Sequence, residues 1–131
     1  MFTILIVEDH LFFRKSLEEM LHKRYPTLNV KEARDGPEAL RMISAAVPDL
    51  MFMDIGLPGA NGLEITRKIK RVSPRVPVIV LADYDFVEYR DAAYRHGADF
   101  FIPKSSSAWE EIAALVEAFL SKACLLRSSH D

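Results

Sequence analysis

The sequence predicts an α/β fold built on a five-stranded, parallel, doubly wound sheet. Three observations carry this reading. Short apolar runs alternate with helical patterns five times along the 131 residues. The first of them, Ile4-Leu5-Ile6-Val7, is short, β-branched and apolar throughout, which suits a strand covered on both faces. The links between runs and helices are short, as in successive β–α crossovers that place helices on both sides of one sheet. The length suits one domain, placed at residues 1–124, with 125–131 as a C-terminal tail or the start of a linker.

The elements follow in order. Ile4-Leu5-Ile6-Val7 is the first strand and ends in the acids Glu8-Asp9. Phe13, Leu17, Met20 and Leu21 recur at helical spacing as far as Tyr25-Pro26, where proline stops the helix. Leu28 to Ala33 is the second strand. Asp35 caps the next helix, with Glu38 three residues on and Leu40, Ile43 and Val47 as its buried stripe. Leu50-Met51-Phe52-Met53 is the third strand, ending at Asp54. A loop over Ile55 to Ala60 leads to Asn61, which caps a helix carrying Ile65 and Ile69. Val76 to Leu81 is the fourth strand, and Val87 to His96 the fourth helix, with Gly97 as its C′ residue. Asp99 to Ile102 is the fifth strand. Ser107-x-x-Glu110 forms a capping box for a last helix with Ile112, Leu115, Val116, Phe119 and Leu120 on one face.

Composition narrows the function. Seventeen basic against nineteen acidic residues leave a net charge of −2, so this segment lacks the basic footprint of direct nucleic-acid binding. A single cysteine, Cys124, excludes an internal disulfide and a multi-cysteine zinc site, and it is expected as inert packing. No basic n-region opens the chain, and no window approaches the ~20 apolar residues of a membrane span. A cytoplasmic location without membrane association is the expectation.

The chemistry gathers at strand C-termini. Glu8 and Asp9 follow the first strand, Asp54 ends the third and Lys104 follows the fifth. In an open parallel sheet the functional crevice lies at those ends, at the switch point of the strand order. Three carboxylates brought together raise one another's pKa. A hard divalent cation such as Mg²⁺, or Mn²⁺ in its place, relieves this by binding carboxylate oxygens. An Asp beside such an ion is a nucleophile toward a phosphoryl group, and Lys104 can neutralise phosphoryl oxygens as a point charge. His10 is expected as a helix-entry residue rather than a ligand at an oxygen-rich site.

Four segments together resemble the receiver domain of two-component response regulators, over about residues 2 to 122. They are Ile4-Leu5-Ile6-Val7-Glu8-Asp9-His10, Asp49 to Gly59, Val78-Ile79-Val80-Leu81 and Gly97 to Lys104. Asp54, Pro58 and Gly62 satisfy the family's D-x-x-x-P-x-x-x-G frame. The resemblance implies a flavodoxin-like (βα)5 receiver fold. It implies Asp54 as acceptor of a phosphoryl group from a histidine kinase or phosphotransfer protein, or from a small phosphodonor. It implies Glu8, Asp9, Asp54 and the main-chain carbonyl of Gly56 as the protein's share of a Mg²⁺ shell, and Lys104 as the phosphoryl contact. Phe101 matches the aromatic position that turns inward on activation. The same residue also reads as plain core of the fifth strand.

Two departures from the family pattern matter. Ala82 stands where receivers have Thr or Ser. Alanine cannot supply the hydroxyl that bonds a phosphoryl oxygen, a contact of about 1.5–3 kcal/mol. Coupling between Ala82 and Phe101 is thereby placed in question, while the phosphorylation chemistry retains its acids and its lysine. Asp83 adds a negative charge near the site, and with Asp85 it is expected to cap the fourth helix. Second, Ser105-Ser106-Ser107 follows Lys104, as in receivers of the NarL/LuxR type, which are usually fused to a helix-turn-helix domain. The chain is then either a stand-alone receiver or a piece of such a regulator. Tyr84, Tyr89, Tyr94 and Phe100 fall around the fourth helix and fifth strand, the face many receivers use for homodimers.

Two other functions compete. One is a phosphorylation-independent pseudo-receiver, an interaction module that has lost its switch at Ala82. The other is a Mg²⁺ phosphohydrolase with an aspartyl nucleophile. Such enzymes want a second acid two residues after the nucleophile, where Gly56 stands. The receiver reading makes the domain a signalling switch that assists its own phosphorylation and dephosphorylation, not an enzyme in the usual sense.

Overall fold

The computed structural model describes residues 1–57 and 61–128. Five strands and five helices alternate strictly: β1 Thr3–Val7, α1 Leu11–Arg24, β2 Asn29–Ala33, α2 Gly36–Ala45, β3 Leu50–Asp54, α3 Gly62–Val72, β4 Val78–Ala82, α4 Val87–Arg95, β5 Phe100–Pro103 and α5 Ala108–Ser128. All strands are parallel, in the order β2-β1-β3-β4-β5. The flavodoxin-like (βα)5 expectation is therefore met. The order reverses between β1 and β3, so the loops after these strands diverge and leave a crevice at their C-terminal ends.

Strand periodicity divides the core into two layers. Leu5, Val7, Met51, Met53, Val78, Val80 and Phe101 pack with residues of α2, α3 and α4. Ile4, Ile6, Leu50, Phe52, Ile79, Leu81 and Ile102 pack on the other side against Leu17 and Leu21 of α1 and Ile112 and Val116 of α5. Every residue of β3 and β4 is buried, which explains why those runs are apolar rather than alternating.

Several helix ends form as the sequence predicts. Asp35 Oδ1 accepts from the Glu38 N–H at 2.9 Å, and Glu38 reaches back to the Arg34 N–H at 3.1 Å. Asn61 Oδ1 accepts from Leu63 at 2.9 Å. Gly97 has φ +103°, with its N–H on the Tyr94 carbonyl and the Ala98 N–H on that of Ala93. That pairing is a Schellman motif, and its left-handed residue is best as glycine. His10 caps α1, its Nδ1 accepting from Phe13 at 3.3 Å.

Other expectations fail for local reasons. Val47 is 57% exposed, because α2 ends at Ala45 and Pro48 prevents its continuation. The Ser107 capping box is not made: its hydroxyl pairs with Ser105 Oγ at 3.1 Å, and among the described residues no Glu110 N–H reaches it. Neither Asp83 nor Asp85 caps α4, whose N-cap position is Phe86 without a side-chain bond. Asp85 pairs instead with Arg90 at 2.8 Å. Cys124 is exposed rather than packed. Phe100 meets Phe119 of α5, apart from the exposed Tyr84–Phe86–Tyr89 stack, so the expected aromatic cluster divides. Helix α5 runs unbroken past residue 124 to Ser128. No described helix is long and apolar enough to cross a membrane.

Phe52 lies at the centre of the α1/α5 layer with no exposure. Replacing it with alanine is expected to lower unfolding free energy by ~3–5 kcal/mol, read from urea denaturation. A loss below ~1 kcal/mol would contradict this packing.

Candidate functional site

The crevice is assembled by backbone bonds at the strand ends. The Glu8 N–H donates to the Ala33 carbonyl at 3.1 Å, and Arg14 Nη1 holds the Glu8 carbonyl at 2.8 Å. The Ile55 N–H donates to Leu81 at 3.0 Å and fixes the chain after Asp54. Across the sheet the Lys104 N–H donates to the Ala82 carbonyl at 2.7 Å. Gly62 completes the frame after Asp54. A Cβ there would overlap the Asp54 carbonyl oxygen, so only glycine lets α3 start so close to β3. Pro58, the middle of that frame, lies with Gly59 and Ala60 outside the described residues.

Four predicted side chains, Glu8, Asp9, Asp54 and Lys104, and the main chain of Gly56 converge with these supports. Glu8 is wholly buried and Asp54 is 4% exposed. Lys104 Nζ donates to both Glu8 oxygens at 3.0 Å and to Asp54 Oδ1 at 3.4 Å. Asp54 Oδ1 also accepts from the Gly56 N–H at 3.1 Å. Asp9 and Gly56 are exposed at the mouth of the same cleft. Glu8, Asp9 and Asp54 each offer a carboxylate oxygen within 4.8 Å of the others. Opposite ligands of an octahedral Mg²⁺ stand about 4.2 Å apart, so small side-chain movements let this oxygen-only set hold a hard divalent cation.

Burial governs the charges. It pushes the Glu8 carboxyl up to about 7, helped by the neighbouring Asp54 and opposed by Lys104. Asp54 is also raised by burial, against the pull of Lys104 and the Gly56 N–H. For Lys104, burial works to lower the pKa, but Glu8 and Asp54 outweigh it and the net direction is upward. The rise of Lys104 requires an ionised Glu8, whereas the rise of Glu8 favours its neutral form. The two-oxygen contact at 3.0 Å favours the ion pair above neutrality, with Glu8 taking up a proton below it.

Ala82 and Phe101, the two positions expected to form a switch, sit deeper. Ala82 is buried at the end of β4 and brings no hydroxyl to the cleft. Phe101 is 5% exposed and lies inside the α2/α3/α4 layer, with the Arg90 guanidinium 5.0 Å above its ring. Two nearby residues carry more than their sequence reading. Asp83, expected as a cap, has Oδ1 3.7 Å from Lys104 Nζ. Phe13, expected as part of the α1 core stripe, lies under Lys104 with its ring centroid 4.6 Å from Nζ. Its place in the first turn after Glu8-Asp9 is the one sequence signal for that role. Trp109 stacks behind it at 5.2 Å.

A flavodoxin-like parallel sheet with an acid cleft and one lysine at the strand C-termini is the arrangement that the sequence resemblance to receiver domains leads one to expect. The response regulator receiver domain profile matches residues 4–117, and the chain belongs to that family. It is similar to response regulator MprA of Mycobacterium ulcerans (strain Agy99), 36% identical over 119 residues, covering 91% of this chain and 50% of the relative. The chain thus spans about half the length of the curated relatives it matches. Among solved structures, NtrX from Brucella abortus superposes with a TM-score of 0.82 at 29% identity, over 98% of this chain and 29% of that one. A LuxR-family response regulator from Aurantimonas sp. SI85-9A1 gives 0.80 at 29%, over 91% and 85%. The chain is a signalling receiver domain of the two-component type.

The raised Glu8 carboxyl sets a pH dependence. Its folded value of about 7 exceeds its ordinary 4.5, so the stability it contributes is full below 4.5 and is lost as pH rises through about 7. In chelator, unfolding free energy is expected to decline from pH 5 to 8. Millimolar Mg²⁺ should oppose that decline, because cation binding requires the ionised acids. Glu8→Gln should flatten the profile. An unchanged slope in that variant, followed by urea melts across the range, would refute the assignment.

Proposed function

We propose that Asp54 accepts a phosphoryl group from a histidine kinase or phosphotransfer protein, and that the acyl phosphate switches a protein-interaction surface. The convergence of Asp54 and Lys104 at 3.4 Å beside two further acids carries this reading. An Asp54 carboxylate oxygen attacks phosphorus in line, an O–P bond forms, and the P–N bond of phosphohistidine breaks, the electron pair leaving with the imidazole. Glu8, Asp9, Asp54 and the Gly56 carbonyl would hold Mg²⁺, or Mn²⁺, which supplies charge neutralisation for the transferring group. Lys104 stabilises the developing charge on the phosphoryl oxygens. The Gly56 N–H steadies the Asp54 carboxylate that attacks.

The domain spans residues 1–124 in this reading, and the residues after it are a C-terminal tail or the start of a linker, in a cytoplasmic receiver that stands alone or joins an output module. The serine run after Lys104 favours a NarL/LuxR-type receiver. The exposed aromatic residues of α4 suit a homodimer through the α4-β5-α5 face. A second reading has its own observation. Phe101 is already inward, beneath Arg90, and Ala82 provides no hydroxyl to make that position depend on phosphate. A phosphorylation-independent interaction module would look the same at this switch.

Intact mass after incubation with acetyl phosphate separates the two. The expected outcome is a gain of one phosphoryl group that requires Mg²⁺ and is absent in Asp54→Asn. No gain, together with no Mg²⁺-dependent stabilisation by beryllofluoride, would favour the interaction module. Asp83→Ala should raise the rate of phosphorylation by about two- to fivefold. It removes an exposed anion that competes for Lys104 and repels the donor, a term of ~1 kcal/mol or less at this exposure. A rate that falls in this variant would show Asp83 to assist the reaction instead.

A further inference from the structure

Lys104 is poorly held for its task if only its ionic partners are considered. It is anchored by Glu8, with weaker contacts to Asp54 and Asp83. Two of these, Glu8 and Asp54, are the same carboxylates that a cation and a phosphoryl group would engage. The third, Asp83, has a side chain that is 72% exposed and adds a negative charge where a phosphoryl anion must enter. When Glu8 turns to a cation, the ammonium loses its two closest oxygens. A group that attracts it without carrying net negative charge would keep it in place.

Phe13 is such a group. Its ring centroid lies 4.6 Å from Lys104 Nζ, within cation–π range, and Lys104 is largely buried there. The ring is itself fixed. Its far neighbour is Trp109 at the start of α5, stacked at 5.2 Å with an interplanar angle of 21°. Trp109 follows Lys104 by five residues, so the loop that carries the lysine also carries the aromatic that backs its support. The π face attracts the ammonium by its quadrupole and leaves the phosphoryl anion unopposed.

We propose that Phe13, backed by Trp109, is a positioning residue that holds the Lys104 ammonium toward Asp54 while Glu8 is occupied elsewhere. The proposal rests on the phosphoacceptor reading for its effect on rate, but not for the placement of the ammonium. Two arms keep these apart. In the first, the full chain and its Phe13→Leu and Phe13→Tyr variants react with acetyl phosphate and Mg²⁺, followed by intact mass. Phe13→Leu is expected to slow phosphorylation about fivefold, the scale of one partly buried cation–π contact. Phe13→Tyr, which keeps the ring, is expected to stay within about twofold. In a Lys104→Gln background Phe13→Leu should have no further effect, a non-additivity that general loss of packing would not produce.

The second arm needs no phosphotransfer. Lysine amines are labelled with acetic anhydride in the presence of Mg²⁺ and read by peptide mass. Lys104 labelling relative to Lys68 should rise severalfold in Phe13→Leu and stay unchanged in Phe13→Tyr. If the leucine variant lacks the helical circular dichroism of the parent, Phe13→Met takes its place. Unchanged Lys104 labelling in the ringless variant overturns the proposal. Equal slowing by leucine and tyrosine also overturns it. A wild-type chain that gains no phosphoryl group overturns the acceptor reading, while the labelling arm still decides where Phe13 holds the lysine.

Discussion

One ammonium balances two buried carboxylates. Among the described residues, Lys104 is the cation within ion-pair reach of both Glu8 and Asp54. Neither acid is solvated enough to carry its charge at ordinary cost, and burial raises both. The arrangement leaves more negative than positive charge in the cleft once Asp9 and Asp83 are counted. A further cation is what such a site lacks. The strand order that brings these groups together is therefore also what concentrates negative charge at one end of the sheet.

The sheet tolerates this imbalance because the rest of it is apolar and tightly bound. β3 and β4 are buried throughout, and their neighbours on either side share one parallel register. The polar ends of the strands are held by main-chain bonds rather than by side-chain packing: Glu8 to Ala33, Ile55 to Leu81, Lys104 to Ala82. The crevice geometry is in this way insulated from the identity of the core side chains. Gly62 is the exception, since its missing Cβ is what permits α3 to begin against the Asp54 carbonyl.

The region around Ala82 has a different character from the acid cleft. The cleft keeps every charged group that phosphoryl acceptance would use. Toward α4, Ala82 brings no hydroxyl, and Phe101 lies inward with the Arg90 guanidinium above its ring and Asp85 pairing that guanidinium in turn. On the other side of Lys104, the aromatic pair Phe13 and Trp109 links the same ammonium to α1 and α5.

The alternation of apolar runs and helical stripes was enough to predict the five β–α pairs, because burial on both faces leaves no polar positions in a central strand. Glu8, Asp9, Asp54 and Lys104 were legible for a related reason: charged residues directly after such strands stand out, and parallel topology brings strand ends together. Helix caps were legible where the signal is local: a side chain on nearby backbone at Asp35 and Asn61, and a left-handed glycine at Gly97. They failed where another side chain competed, nearby in the chain or distant: Asp85 went to Arg90, Asp83 leaned toward Lys104, and Ser107 paired with Ser105. Val47 was misplaced because a period does not say where a helix stops. The pairing of Glu8 with Lys104 across 96 residues, the cover of Arg90 over Phe101 and the stack of Phe13 on Trp109 were decided by the tertiary structure alone. Each depends on the direction in which a long side chain leaves its element, and periodicity carries no information about that.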